Sequence, residues 1–281
     1  MNVVELRKRR LQELGDFLRS RRACLQPAEV GLAVGTRRRT PGLRREEVAQ
    51  LAGVSHTYYS FLEQGRDVRP SGQVLDALSH ALRLSAAERV HVYVLAQDAV
   101  PNGGASSESI SAGVGALVER LDPHPTFVKG RRWDVLAANR GARALFVDWL
   151  ALAPGDRNEI WWMFTDPRAR DVYVDWEHDA AAMLARFRLA AARWLHDPGF
   201  VELVDRLHEH STEARRWWQH HEVLPAASGT KRLHHPLLGE ITLDHVVLQV
   251  ADDPDQKLVT FSTIDGDEEP LARLAATIGT V

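Results

Sequence analysis

The sequence has few of the residues and segments that mark secreted, membrane or metal-binding proteins. Its 281 residues include a single cysteine, Cys24, so the chain can form neither an internal disulfide nor a cysteine-based zinc cluster. No run of about 18 apolar residues occurs, and the opening segment MNVVELRKRR lacks the apolar stretch of a signal peptide. We therefore expect a cytoplasmic protein without membrane contact, in which Cys24 is a small buried apolar side chain.

Motifs for catalysis are also missing. There is no GxSxG nucleophile elbow and no phosphate-binding P-loop, and GVGALV at 113–118 lacks the third glycine of the dinucleotide fingerprint. Histidines occur in close pairs at 208/210, 220/221 and 234/235, but neighbouring residues on a helix face different ways and no HExxH is present. We expect no catalytic residue, no metal site and no conventional cofactor.

Charge is distributed unevenly along the chain. The net charge is −3, yet the segment up to Gln97 has 16 Lys/Arg against 10 Asp/Glu, whereas the remainder has 19 against 28. A basic amino-terminal part on an acidic remainder favours contact with a polyanion at the basic end. Chance clustering on a solvated surface is the alternative, so motifs have to decide between the two.

A polar stretch divides the sequence into two parts. QDAVPNGGASSES, residues 97–109, is rich in Gly, Ser, Asn and Pro and has no apolar periodicity, which is typical of a linker. We therefore predict two domains, 1–97 and 110–281, that are joined by a linker at 98–109.

The two parts differ in their hydrophobic period. Up to residue 97, apolar residues recur at helical spacing in five groups, and Ser71 precedes the fourth group as a helix N-cap. This pattern predicts an all-α head of five helices. Beyond the linker, helical segments lie between predicted strands, which are FVKG, WDVLAAN, KRLHHP, EITLDHVVLQV and KLVTFSTI. The second domain is therefore predicted to be α+β with an antiparallel sheet.

The segment LRREEVAQLAGVSHTYYSFLEQGR, residues 43–66, predicts a helix-turn-helix. Residues 44–52 and 55–64 can each form a helix, and Gly53 between them suits a turn that requires a positive φ. The second helix of such a pair presents its amino-terminal residues to the major groove of DNA. A helical bundle that binds no nucleic acid has the same pattern, so the pattern alone leaves both readings open.

The segments EEVAQLAGVSHTYYSFLEQGR and RPSGQVLDALSHALRL resemble the five-helix head of the XRE family, the repressors related to those of lambdoid phages. The resemblance implies a lambda-repressor-like head with phosphate contacts from Arg45, Gln64, Arg66 and Arg69 and base contacts from His56 and Thr57. The full set of implied DNA-binding residues is Arg45, Ser55, His56, Thr57, Tyr58, Phe61, Gln64, Arg66 and Arg69.

Two further features follow from this resemblance, and a basic run near the helix-turn-helix adds a third from its charge alone. The resemblance implies that Arg22 pairs with Glu63 inside the head. Phe61 departs from the family pattern, which has Arg or Gln there, and a phenyl ring cannot donate to guanine although it can contact a thymine methyl group or pack inward. The run RRR at 37–39 either adds phosphate contacts or lies in a solvated loop.

Four segments of the second domain carry a further resemblance, and they are GRRWDVLAANRGARALF, RNEIWWMFTDPRARDVYVDWE, HDPGFVELVDRLHEHSTEARRWWQHHEV and GTKRLHHPLLGEITLDHVVLQVADDPDQKLVTFST. They resemble the ligand-binding domain of MmyB-like regulators. The resemblance implies a PAS-like sheet with inserted helices that encloses a lipophilic ligand of fatty-acid type. The candidate ligand-binding residues are Trp133, Asn139, Trp161, Phe164, Arg168, Tyr173, Trp176, Phe187, Lys231 and His235, although each can instead serve the core or the surface.

These observations favour a transcriptional regulator that binds double-stranded DNA as a homodimer at a pseudo-palindromic operator. A small lipophilic effector in the second domain would shift the affinity for that operator. Two alternatives stay open, because the second domain could be an enzyme that acts on a lipid-like substrate or a protein-interaction module without a ligand.

Overall fold

The computed structural model describes residues 3–32, 42–96, 108–194 and 197–278. Contacts divide the chain into two compact units. The first, here called the head unit, comprises Met1–Asn102, Arg188–Val201 and Trp217–Pro225. The second, here called the sheet unit, comprises Gly103–Phe187, Glu202–Arg216 and Ala226–Val281. In the described part of the chain no helix has the length and apolar character needed to cross a membrane.

The amino-terminal part of the head unit is helical, as the sequence predicts. Its helices are α1 Val3–Cys24, α2 Arg45–Ala52, α3 His56–Glu63, α4 Gly72–Ala81 and α5 Ala86–Ala96, with a short 3-10 helix at Pro27–Val30. The predicted N-cap is confirmed, because the Ser71 hydroxyl accepts a hydrogen bond from the Val74 backbone N–H at 3.3 Å. Most of the predicted linker and the arginines at 37–39 lie outside the described residues.

The prediction of a buried Cys24 is wrong. Cys24 is the last residue of α1, and its side chain is exposed. Residues such as Leu14 and Phe17 mark the inward side of α1. Each further residue rotates the side-chain direction around the helix axis, so Cys24 at the end of α1 points away from the core.

The core of the head unit is built from distant parts of the chain. Its centre includes Phe17 of α1, Val48 of α2 and Leu78 of α4, each fully buried. Ala192 and Val223 belong to the same buried cluster and are 4% and 6% exposed. Residues that follow the head by about a hundred positions in the sequence therefore complete its apolar interior.

A buried charged cluster accompanies this core. Arg188 is 3% exposed, forms an ion pair with Glu13 of α1 and lies over the Trp218 ring at 4.0 Å. Its Nη1 lies 3.2 Å from His221 Nδ1. Nearby, His91 of α5 is fully buried against the edge of Phe17, and neither ring nitrogen has a hydrogen-bond partner among the described residues. This cluster holds Arg188 and His221 against the helices of the head.

The remaining elements include the five predicted strands. The strands are β1 Thr126–Lys129, β2 Val135–Ala138, β3 Gly229–His235, β4 Gly239–Gln249 and β5 Lys257–Thr263. The helices are α6 Ala112–Arg120, α7 Arg140–Leu145, α8 Glu159–Thr165, α9 Pro167–Val172, α10 Trp176–Ala191, α11 Pro198–His210, α12 Thr212–Trp218 and α13 Glu269–Ala275. The helices between β2 and β3 make the middle of the sequence mostly α.

The strands form a single antiparallel sheet in the order β2-β1-β5-β4-β3. Register is set by alternation. Leu233 on β3 and Leu243 on β4 are buried, while Thr242 and Asp244, on either side of Leu243, are exposed. Helix α6 contributes Val118 to a small apolar cluster with Val128 and Leu258 of the sheet. The α+β fold with an antiparallel sheet is therefore confirmed.

Candidate nucleic-acid interface and ligand-binding core

The turn between α2 and α3 has the geometry that the sequence predicts. Gly53 ends α2 with φ 65, in the left-handed region, and a side chain there would meet no atom within 4 Å. The Ser55 hydroxyl then caps α3 by accepting from the Tyr58 N–H at 3.1 Å. At this capped end of α3, the side chains of Ser55, His56 and Thr57 are exposed. Three of the implied DNA-binding residues thus lie together at the amino terminus of one helix.

The inner side of α3 carries a buried carboxylate. Glu63 is fully buried, and its oxygens accept from Arg22 Nε at 2.5 Å, Arg22 Nη2 at 3.1 Å and Arg45 Nε at 2.6 Å. Burial alone would raise the pKa of Glu63, but the hydrogen bonds from Arg22 and Arg45 outweigh it and lower the pKa. The implied Arg22–Glu63 pair is confirmed. Arg45 keeps 40% of its side chain exposed beside this pair.

The other implied DNA-binding residues surround the exposed side of α3. Gln64, Arg66 and Arg69 are exposed, whereas Tyr58 and Phe61 are half-buried. Burial raises the pKa of the Tyr58 hydroxyl, which keeps it protonated as a hydrogen-bond donor. The Arg66 guanidinium lies 4.4 Å from the centroid of the Phe61 ring. The surface therefore combines short polar side chains at the start of α3 with cations beyond its end.

In the sheet unit, aromatic side chains form a buried cluster. Ring centroids of neighbouring members lie 5.2 to 6.3 Å apart. The members are Phe127, Phe146, Trp149, Trp162, Tyr173 and Phe261. Of the candidate ligand-binding residues, only Tyr173 belongs to this cluster. The other members of the cluster, such as Phe146, lie in short or isolated segments. The sequence pattern of such segments does not distinguish a residue that lines a ligand site from an ordinary core residue.

The remaining candidate aromatic residues lie in smaller pairs. Trp133 packs on Phe187 at 5.4 Å and Phe164 on Trp176 at 6.0 Å, and all four side chains are buried. Trp161 is half-buried and lies between His210 and the Arg206 guanidinium. Trp161 therefore lies nearer the surface than the other aromatic candidates.

Three of the four polar candidates have a role within the fold. The Asn139 side chain accepts from the Thr126 and Ala142 N–H groups and donates to the Val118 and His124 carbonyls, which uses its full hydrogen-bonding capacity. Arg168 is exposed and pairs with Asp166 at 2.5 Å. The His235 ring accepts from the Leu237 N–H in the turn after β3, and burial lowers its pKa.

The fourth polar candidate belongs to a buried polar cluster. Lys231 on β3 forms an ion pair with Asp179 of α10. Lys129 on β1 pairs with Glu159 and lies 3.5 Å from the centroid of the Trp133 ring. Burial lowers the pKa of Lys129, and the Glu159 charge opposes this shift. Sequence analysis did not single out Lys129, Glu159 or Asp179, because no spacing marks a buried ion pair.

Arg186 of α10 gives this cluster a surplus positive charge. Its guanidinium interacts electrostatically with Asp179 and Glu159, and burial lowers its pKa. Both carboxylates are already bound by lysines, and among the described residues the buried Arg186 Nε has no hydrogen-bond partner. The Tyr173 hydroxyl faces the same two carboxylates, and burial raises its pKa well above the usual value. The cluster thus has three cations, two carboxylates and a protonated phenol.

Comparisons with known proteins match both parts of the chain. Residues 110–276 match the family model described as MmyB-like transcription regulator ligand binding domain. Residues 13–92 match a model described as helix-turn-helix domain. A search of curated proteins finds no match. The first match covers more than half of the 281 residues and includes the aromatic cluster and the polar cluster, and the second includes α2, the Gly53 turn and α3.

Proposed function

The chain belongs to the MmyB-like transcription regulators, and from this premise we propose that it binds its operator as a homodimer and senses an anionic lipophilic molecule in the cytoplasm. A helix-turn-helix domain followed by a ligand-binding domain makes the protein a DNA-binding transcription regulator. The observation that supports the DNA contact most directly is the exposed first turn of α3, with Ser55, His56 and Thr57 beyond the Gly53 turn.

On the DNA side, each residue class has its own role. The polar side chains of His56 and Thr57 face base edges, because the amino-terminal residues of a recognition helix lie deepest in the major groove and can hydrogen-bond to the base edges there. Gln64, Arg66 and Arg69 contact phosphates, with Arg45 adding the exposed part of its guanidinium. One recognition helix reads a few base pairs, so a homodimer on a pseudo-palindromic operator supplies the remaining specificity.

On the ligand side, an apolar chain lies against the aromatic cluster and an anionic group lies at Arg186. The rings of Phe146, Trp162 and Tyr173 offer the apolar surface that a fatty-acid-like molecule needs. Arg186 is half-buried, and its buried Nε has no hydrogen-bond partner among the described residues, so an anion that binds the guanidinium would offset the cost of burying this charge. The protonated Tyr173 hydroxyl adds a donor for the same anionic group.

The ligand acts on DNA binding through population shift. A molecule that binds one arrangement of the regulator better than another changes the operator affinity by that difference in binding free energy. The strand order β2-β1-β5-β4-β3, with a block of helices inserted between β2 and β3, supports the PAS-like architecture that the sequence resemblance implies for such a sensor.

A thermal-shift experiment on the full chain tests the ligand and its anionic group. We expect hexadecanoic acid to raise the unfolding temperature more than its methyl ester, because only the acid is charged. Arg186→Gln should abolish this preference, whereas Arg168→Gln, an exposed arginine already paired with Asp166, should retain it. An equal response of the natural sequence to acid and ester would contradict an anionic ligand.

Mass spectrometry of the denatured, purified protein separates the remaining alternatives. An intact copurified acyl molecule supports the sensor, and conversion of an added lipid to product would support an enzyme instead. A spectrum without any small molecule, together with no thermal response to fatty acids, would favour a protein-interaction module.

A further inference from the structure

The end of α3 is tied to Arg66 by a helix-terminating turn. Gln64 caps the helix, and Gly65 adopts φ 64 in the left-handed region. The Arg66 N–H then donates to the Phe61 carbonyl at 3.0 Å. This is the six-to-one hydrogen bond of a Schellman motif, in which the residues at the two ends of the bond also bring their side chains into contact.

In this turn the side-chain contact joins an aromatic ring and a cation. The Arg66 guanidinium carbon lies 4.4 Å from the Phe61 ring centroid, within cation–π distance. Phe61 is half-buried on α3, so the helix fixes the position of its ring, whereas Arg66 is exposed. The ring therefore orients a cation that would otherwise move freely in solvent.

Arg66 differs from other arginines near α3 in its ion pairing. Arg45 is paired with Glu63, and Arg7 is paired with Asp67. No described carboxylate forms an ion pair with Arg66. A ring that covers one face of a guanidinium leaves its in-plane N–H donors available, and those donors match the oxygens of a phosphate.

Resting on the DNA contact proposed above, we propose that Phe61 is a positioning residue for DNA binding: its ring holds the Arg66 guanidinium where it donates to a backbone phosphate beyond the end of α3. Phe61 then reads no base and instead supports a phosphate contact. Because an arginine side chain loses rotamer freedom when it binds a phosphate, orientation before binding raises the affinity.

Binding of the full chain to a short duplex of random sequence, measured at increasing NaCl, tests this role. Arg66→Ala should make the dependence of log K on log salt shallower by about 0.9 for each bound head, the value for one lost phosphate contact. Phe61→Leu should weaken binding about two- to fivefold for each bound head, as expected for an exposed cation–π contact. Phe61→Tyr, which keeps the ring, should bind like the natural sequence.

The double variant separates positioning from a general structural effect. If Phe61 acts through Arg66, Phe61→Leu should weaken binding no further in the Arg66→Ala background, and Phe61→Met should behave like Phe61→Leu. An equal loss in both backgrounds would overturn the proposal. Thermal unfolding of each variant shows whether the head remains folded.

Selection from a random pool of duplexes supplies the control. Thr57→Ala should alter the preferred base at one position and leave the salt dependence unchanged, because it removes a base contact alone. Phe61→Leu should leave base preference unchanged. A changed base preference with an unchanged salt dependence would identify Phe61 as a base-reading residue and overturn the proposal.

Discussion

At the scale of single residues, buried charges decide which cations of the head unit are available to DNA. Glu63 binds Arg22 with both oxygens and Arg45 through Nε. Arg22 is therefore a structural residue, and Arg45 can offer only the part of its guanidinium that remains exposed. Arg66 has no carboxylate partner among the described residues, so its charge is more available to an anion than that of Arg45.

His91 is the residue whose surroundings predict a measurable pH effect. Burial, together with the nearby Arg188, His221 and Arg21, lowers the pKa of His91 to about 3. The unfolded chain binds a proton at His91 near pH 6.5, whereas the folded head does not. The contribution of His91 to the free energy of unfolding is therefore fully present above about pH 6.5 and is lost progressively as the pH falls towards 3. Between pH 7 and pH 5, this residue alone lowers the free energy of unfolding by about 2 kcal/mol.

His91→Leu should remove this loss. We expect the variant to be about 1 kcal/mol more stable than the natural sequence at pH 7, because both ring nitrogens of His91 are buried without hydrogen bonds. At pH 5 the advantage should grow to about 3 kcal/mol. Urea unfolding at the two pH values measures it. His56→Leu, at an exposed position, is the control, and an equal pH dependence in both variants would contradict the assignment.

Individual site residues could be predicted from sequence only where a local pattern accompanies them. Ser55 and Thr57 follow from the glycine turn, and Arg22–Glu63 follows from family resemblance. Arg186, the proposed anion contact, has no such signal, because a half-buried arginine within α10 has the same spacing as a solvated one. For Asn139, the N-cap position can be predicted from the sequence. Its four hydrogen bonds inside the fold, which show that it is structural, appear only in three dimensions.

At the scale of elements, α1 and α3 approach each other closely at Gly15. A side chain at Gly15 would place its first carbon 2.7 Å from the Glu63 carbonyl oxygen and 2.8 Å from that of Leu62. At Gly53, by contrast, the surroundings are open and only the positive φ opposes a side chain. Sequence analysis identified the turn glycine but not the packing glycine, because a glycine within a helix gives no sign of its neighbours.

Gly15→Ala should therefore be more destabilising than Gly53→Asn. An added methyl group at Gly15 must push backbone away, and we expect a loss of about 2 kcal/mol even though alanine favours helix. Asparagine tolerates the left-handed region, so Gly53→Asn should cost about 1 kcal/mol or less. Denaturant unfolding of the full chain measures both. If Gly15→Ala were stabilising, the close approach of α1 and α3 would be incorrect.

Strands were easier to predict than some of the short helices. Alternation and β-branched residues predicted all five strands, and the helical pattern predicted helical segments between the strands. Helices α7, α9 and α13 have six or seven residues each, fewer than two full turns, so an apolar face cannot repeat along them. Their starts are marked instead by capping residues or proline, such as Asp166 and Pro167 before and in α9.

At the scale of the whole molecule, the contact units do not follow the order of the chain. Ala192 and Val223 are buried in the core of the head unit, and Arg188 is bound by Glu13 and Trp218 within the same unit. No composition shift or linker marks residues 188–201 or 217–225 as part of the head. The domain limits 1–97 and 110–281 stay a prediction from the composition of the sequence.

Val223→Ala should destabilise the helix-turn-helix part of the protein. Removing buried methyl groups from this core should cost about 2 kcal/mol. Leu224→Ala, at the exposed neighbouring position, should change the unfolding free energy by about 0.5 kcal/mol or less. Hydrogen exchange should locate the loss of protection in α1 and α5. Equal effects of the two variants would show that Val223 lies outside the core.

The late position of Val223 has a consequence for synthesis on the ribosome. Chains emerge from the amino terminus, so all five helices of the head leave the ribosome before Ala192 and Val223 have been translated. During that interval the nascent helix-turn-helix lacks part of its interior. A polypeptide released early, without the ligand-binding domain, would therefore carry α3 on a head whose apolar core is incomplete. Gene regulation by this protein thus depends on translation of both domains.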